Sequence, residues 1–146
     1  MNVIADLKSF ANDLTILIAE DDADLNSELT NLLQIFYKEV YSALDGEEAL
    51  ELYKKHRCDV ILSDITMPKM NGIKLSTEVK NIKRNQAVVI LSAHTELDYL
   101  IPLIDIGINQ FVAKPFESEN LLYRLLKVSE EIVTSRFYEQ DQGAKL

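Results

Sequence analysis

Val60-Ile61-Leu62-Ser63-Asp64-Ile65-Thr66-Met67-Pro68-Lys69-Met70-Asn71-Gly72 decides how this chain folds. An apolar run ends in a carboxylate, passes through a turn stiffened by proline, and reaches a glycine that opens the next element. Val60–Leu62 shows no polar alternation, the pattern of a strand covered on both faces. Met67-Pro68 takes the backbone out of the sheet just after Asp64. Asp64 is therefore expected at the carboxyl end of a central strand, where open α/β sheets build their sites.

Working outward, Thr15–Ala19 and Val40–Ala43 read as two earlier strands, and Ala87–Leu91 and Gln110–Ala113 as two later ones. Between them lie helical stripes. Leu25, Leu29, Leu32, Leu33 and Phe36 share one face, with Asp24 expected as the N-cap. Asp45-Gly46-Glu47-Glu48 starts a helix to about Lys55, with acidic residues where the helix dipole favours them. Gly72 begins a helix burying Ile73, Leu75, Val79 and Ile82, and Glu96–Ile106 is closed by Gly107. Ser118 is expected to cap a last helix bearing Leu121, Leu122, Leu125, Leu126, Val128, Ile132 and Val133. Five strands alternating with five helices predict an α/β fold. It is a doubly wound five-stranded parallel sheet with helices on both faces, in the flavodoxin-like strand order 2-1-3-4-5.

The chain has 146 residues, one domain's worth, and a net charge of −9, which argues against direct nucleic-acid binding. Cys58 is its single cysteine, cannot form an internal disulfide, and reads as a buried inert thiol in a reducing compartment. No apolar run reaches membrane-spanning length, and residues 1–14 lack the pattern of a signal peptide, so a cytoplasmic location is expected.

Residues 1–13 are read as an N-terminal extension. Val3, Ile4, Leu7, Phe10, Ala11 and Leu14 fall at helical spacing. Such a helix could dock on the domain, mediate self-association, or end a linker. Residues 14–130 form the domain proper. Residues 131–146 comprise an extension of the last helix and, from Phe137, a polar tail expected to fray. The apolar stripe continuing through Ile132 and Val133 suggests a connection to an output module or a self-association surface. Incidental apolar residues at a frayed end explain it equally well.

Four polar clusters fall at one edge of this sheet. Glu20-Asp21-Asp22 follows strand one, Asp64 ends strand three, Ser92 follows strand four and Lys114 follows strand five. Converging carboxylates repel unless a pKa rises or a cation neutralises them, and all-oxygen donors suit Mg²⁺. Glu20-Asp21-Asp22 alone reads equally well as a solvated loop, but its alignment with Asp64 and Lys114 favours a site. The parts suit phosphoryl transfer to a carboxylate: Asp64 as nucleophile, Mg²⁺ and Lys114 stabilising phosphoryl oxygens, and the Ser92 hydroxyl donating to one of them.

Over roughly residues 14–130 the chain resembles the receiver domains of two-component response regulators. The matching residues are Glu20-Asp21, the motif from Asp64 to Gly72, Ser92-Ala93, and Phe111-Val112-Ala113-Lys114-Pro115-Phe116. Each is weak alone, but the set in this order is specific. The resemblance implies that Asp64 accepts a phosphoryl group from a sensor histidine kinase or phosphotransfer protein. It implies that Asp21 binds Mg²⁺ directly, that Glu20 assists, and that Thr66 offers its backbone carbonyl. Ser92 and Phe111 would form the switch pair, Lys114-Pro115 would be cis, and Thr66 and His94 would flank the phosphoryl site. The signalling face would comprise the helix after strand four, strand five and the last helix. A homodimer through that face, or through the extended last helix with its apolar stripe, is one option; the oligomeric state is left open by the sequence.

Phe111, Tyr99 and Phe116 also have a plainer reading as packing residues, and His56 and His94 have no partner at metal-ligand spacing. Pro102 conflicts with the helix around it, predicting a late start near Tyr99–Leu100 or a kink, either of which would reshape the signalling face. Two other functions compete. A receiver-like module that is never phosphorylated would keep the fold, although the full residue set is present here. A phosphatase of the haloacid dehalogenase type would need an aspartate where Thr66 stands, and a nucleophile after strand one. The chain is expected to be a stand-alone receiver or a piece of a longer regulator; its kinase and output are not legible.

Overall fold

All five apolar runs become strands, because β-branched and large side chains flank a ladder that must be covered on both faces. They are β1 (Thr15–Ala19), β2 (Glu39–Ala43), β3 (Val60–Ser63), β4 (Ala87–Ser92) and β5 (Gln110–Ala113). Among the described residues six helices accompany them: α1 (Val3–Ala11), α2 (Ala23–Leu33), α3 (Gly46–His56), α4 (Gly72–Ile82), α5 (Leu97–Asp105) and α6 (Ser118–Ala144). This computed structural model describes residues 2–94 and 96–144. Met1, placed in the N-terminal extension, and Lys145 and Leu146, placed in the frayed tail, lie outside the described residues.

The sheet is parallel, in the order β2-β1-β3-β4-β5. Alternate strand residues feed two cores. Ile16, Ile18, Val60, Leu62, Val89 and Leu91 pack under α1, α2 and α6. Leu17, Ile61, Val88 and Ile90 pack under α3, α4 and α5. The register aligns Ala19 with Ala43 and Ser63, Ser63 with Ile90, and Ser92 with Ala113, so the strands end along one edge.

Four helix starts use side-chain caps, the first being Asn2, whose Oδ1 accepts from the Ala5 amide at 3.1 Å in α1. Asp45 accepts from the Glu48 amide at 2.8 Å and Asn71 from the Lys74 amide at 2.8 Å. In α2 the cap is Asp22, not the expected Asp24. The Asp22 backbone stays extended and its carboxylate accepts from the Asp24 and Leu25 amides at 3.1 and 3.2 Å, so the helix begins two residues earlier. Ser118 likewise lies inside α6; the Glu117 carbonyl accepts the first-turn amides of Asn120 and Leu121.

The expected late start of α5 is not observed. The helix runs from Leu97 through Pro102 to Asp105, and Gly107 follows with φ 92°. Pro102 leaves without a donor only the carbonyl four residues earlier, that of Asp98, an exposed first-turn residue that water can serve. A late-starting helix reshaping the signalling face therefore has no basis.

The tail expected to fray from Phe137 is helical to Ala144. The outer half of α6 is tied down: Ile132 and Val133 pack on the core, the Tyr37 hydroxyl and Ser129 Oγ hydrogen-bond at 2.9 Å, and Arg136 pairs with Asp59. Of the placements open to the N-terminal segment, the structure has it docked. Leu7 and Ala11 are fully buried in the core that contains Leu125 and Leu126, and burying such a leucine contributes about 2 kcal/mol. No helix among the described residues is long and apolar enough to cross a membrane.

Candidate functional site

Backbone hydrogen bonds that continue past the strand ends fix the site residues. The Asp64 amide donates to the Ala19 carbonyl at 3.0 Å, the Glu20 amide to Ala43 at 3.1 Å, and the Lys114 amide to Ser92 at 2.9 Å. Each functional residue thus extends the ladder by one position, which carries sheet rigidity into the site. The Lys114-Pro115 bond that follows is cis.

The loop leaving Asp64 is folded tightly upon itself. Asp64 Oδ1 accepts from the Ile65 amide at 2.6 Å and from the Thr66 amide at 3.4 Å, and Ser63 Oγ donates to the Asp64 carbonyl at 2.7 Å. The Gly72 amide closes the loop on the Ile65 carbonyl. A Cβ on Gly72 would overlap the Asp64 carbonyl oxygen, so the glycine is needed for this close approach and not for an unusual φ. Lys69 supplies the left-handed turn, with φ 67°.

Four sequence-predicted residues converge. Lys114 Nζ donates to Asp64 Oδ2 at 2.8 Å and pairs with Glu20 Oε1. Glu20, Asp21 and Asp64 each direct a carboxylate oxygen into one group lying within 4.8 Å of one another. Glu20 and Asp64 are buried and Asp21 is exposed. Burial pushes the Glu20 carboxyl above its ordinary range despite the opposing Lys114 ammonium. Burial works against the charge of Lys114 as well, but its bonds to Asp64 and Glu20 prevail and hold it above the usual lysine value.

An all-oxygen donor set at this spacing fits a small hard cation. Three carboxylates around one lysine retain excess negative charge that a divalent ion would offset.

Ser92 is buried, and its Oγ accepts from the His94 amide at 2.9 Å. Among the described residues its hydroxyl makes no hydrogen bond to the side chain of Asp64 or Lys114. The Thr66 hydroxyl bonds His94 Nε2 at 2.8 Å, spanning the mouth of the site, and the His94 ring stacks on Tyr99 at 4.2 Å. Phe111 is half-buried and lines an apolar cavity of about 60 Å³ with Ser92, His94 and Leu100.

Sequence reasoning missed Asn26. Its buried amide donates to the Glu20 and Ala43 carbonyls, both at 3.0 Å, clamping the ends of β1 and β2 beneath the acidic cluster. The signal was an amide four residues before Thr30 on the buried stripe of α2. The Thr66–His94–Tyr99 bridge was also unforeseen, because Tyr99 read as packing.

A doubly wound sheet whose carboxyl edge gathers an acidic cluster around one lysine defines a receiver-type signalling domain. The sequence matches the response regulator receiver domain profile over residues 16–126, and the chain belongs to that family. It is 34% identical over 115 residues to the chemotaxis protein CheY of Thermotoga maritima, covering 78% of this chain and 96% of that one. It is 34% identical over 125 residues to the transcriptional regulatory protein PdtaR of Mycobacterium tuberculosis, covering 85% of this chain but 58% of PdtaR. Among solved structures it resembles the N-terminal domain of an uncharacterised Wolinella succinogenes protein (TM-score 0.78, 35% identity, 84% and 98% of the two chains). It also resembles the CheX–CheY–BeF3–Mg complex from Borrelia burgdorferi (TM-score 0.74, 29% identity, 80% and 90%).

Proposed function

We propose that this chain is a phospho-accepting switch in which Asp64 takes a phosphoryl group from a sensor histidine kinase or phosphotransfer protein. The observation that carries the reading is the convergence of Asp64, Glu20, Asp21 and Lys114 at the carboxyl edge. A carboxylate oxygen of Asp64 attacks the phosphorus of the donor phosphohistidine. A P–O bond forms, the P–N bond breaks, and the electron pair returns to the imidazole nitrogen. Asp21, Glu20, Asp64 and the Thr66 carbonyl would hold Mg²⁺, which supplies charge neutralisation to the phosphoryl oxygens. The Borrelia relative, crystallised with BeF3 and Mg²⁺, supports that assignment.

Lys114 already donates to Asp64, so its ammonium is in place to follow the negative charge onto the new group. Ser92 Oγ accepts from His94 and keeps its own proton free to donate to a phosphoryl oxygen. Movement of that hydroxyl would let Phe111 repack into the adjoining cavity and bias the face built by α5, β5 and α6. Leu97, Ile101 and Ile104 form an exposed stripe on α5, suited to an output partner or a second copy. Residues 14–130 would be the receiver proper, in the cytoplasm, with 1–13 and 131–146 as additions.

Incubation with acetyl phosphate and Mg²⁺, followed by phosphate-affinity electrophoresis, tests this. One retarded band should appear, and it should vanish with EDTA or in Asp64→Asn. No band, or an equal band in Asp64→Asn, overturns the reading in favour of a module that is never phosphorylated.

A further inference from the structure

A second cleft lies at the other edge of the sheet. Asp59, Gln86 and Asn109 immediately precede β3, β4 and β5, and all three line a space of about 460 Å³. Because the strands are parallel, this is the amino edge, a full strand length from Asp64. The last turn of α4, the turn between α5 and β5, and the outer half of α6 enclose it. The volume falls within the range of metabolite pockets.

Its walls differ in charge. Lys80 enters from α4 and Lys83 from the position just after it, while Glu131 and Glu139 stand on exposed positions of α6. Asp59 is already engaged, by Arg136 and by the Thr15 amide and hydroxyl. Gln86 is engaged as well, accepting from the Tyr53 hydroxyl and donating to the Asp59 and Ala87 carbonyls. Lys80 differs from both. It is half-buried and makes no ion pair among the described residues, whereas Lys69, Lys74 and Lys114 each have a carboxylate partner. Its ammonium reaches across the cleft: a Cβ built on Gly107 would lie 4.0 Å from Lys80 Nζ. Burial holds Lys80 below the usual lysine value, with no anion to offset it.

We propose that this cleft binds a small multivalent anion, a phosphorylated or polycarboxylic metabolite, held by Lys80 and Lys83 against the α5–β5 turn. Lys80 supplies the desolvated charge and Lys83, just past the end of α4, a second donor. Asn85 and Asn109 belong to the same lining and carry amides of the type that serves ligand oxygens. Glu131 and Glu139 keep the anion on the lysine side of the cleft. A ligand seated there would touch α4, the turn before β5 and the outer half of α6 together.

Amide NMR titrations of the full chain with pyrophosphate, and separately with citrate, test this without Mg²⁺ at matched ionic strength. At least one anion should saturate, with shifts at residues 80–86, 107–109 and 131–139. The pyrophosphate and citrate arms separate phosphate from carboxylate chemistry. In Lys80→Gln/Lys83→Gln the affinity should fall at least about tenfold. Acetyl-phosphate labelling of that variant should be unchanged, which shows that the fold is intact. Failure of both anions to saturate, shifts confined to the surroundings of Asp64 and Lys114, or equal affinity in the double variant would overturn the proposal.

Discussion

At the carboxyl edge of the sheet Lys114 sits between Glu20 and Asp64; at the amino edge Lys80 is also half-buried and has no carboxylate bonded to it. Burial penalises both ammonium groups. Partners reverse the outcome for Lys114, which is held above its usual value, and their absence leaves Lys80 below its own. Depth alone therefore does not set the electrostatics of either edge. At the carboxyl edge the lysine is satisfied by its carboxylates, whereas at the amino edge Lys80 has none among the described residues.

The largest effect should come from the backbone that holds the carboxyl edge together. Gly72→Ala places a methyl group on the Asp64 carbonyl oxygen, which cannot yield without breaking the turn. A loss of about 3 kcal/mol or more in urea unfolding is expected, with weakened Asp64 phosphorylation. Wild-type stability in this variant would mean that the loop is softer than its hydrogen bonds imply.

Lys114→Met should be next. It leaves the buried Glu20 carboxylate facing Asp64 with no cation between them, at a cost of about 3 kcal/mol. Added Mg²⁺ should restore part of that loss if the carboxylates hold the ion. Urea unfolding with and without Mg²⁺ reads both quantities. A variant as stable as wild type without metal would show that solvent already screens the site.

Alkaline titration addresses the amino edge, because Cys58 immediately precedes Asp59 there. Burial pushes its thiol from 9.0 up to about 11, with Asp59 adding to the shift. A raised thiol favours the protonated folded form, so its contribution is complete below pH 9 and is lost as pH rises through 11. Unfolding free energy should fall by about 1 kcal/mol at pH 10 and by 2 to 3 kcal/mol at pH 11. Tyr37, buried and also raised, adds to the loss above pH 10. In Cys58→Ala the decline between pH 9 and 10 should flatten; an unchanged slope would remove Cys58 as its cause.

What was legible in the sequence follows the same division. Asp64, Glu20, Ser92 and Lys114 each end or follow a recognisable apolar run, so strand periodicity places them on one edge without coordinates. The Asp22 cap was not legible, since Asp22 and Asp24 are chemically equivalent and only the extended backbone at Asp22 chooses between them. The tie between the outer half of α6 and the sheet was not legible either, because Arg136 meets Asp59 across 77 residues of chain. The amino-edge cleft was invisible for a related reason. Its residues come from separate segments, each of which reads as ordinary polar surface until the sheet gathers them.

The smallest effect should also have the opposite sign. Lys80→Met removes an ammonium that is half-buried and has no carboxylate partner among the described residues, and keeps an unbranched apolar side chain in its place. Replacing an unpaired buried charge by an apolar side chain relieves its desolvation, so stability should rise by up to about 1 kcal/mol. The same substitution at Lys114 lowers stability, and the pair of measurements isolates the contribution of partners from that of burial. A destabilised Lys80→Met protein would mean that the lysine already has a favourable partner, and the contrast between the two edges would fail.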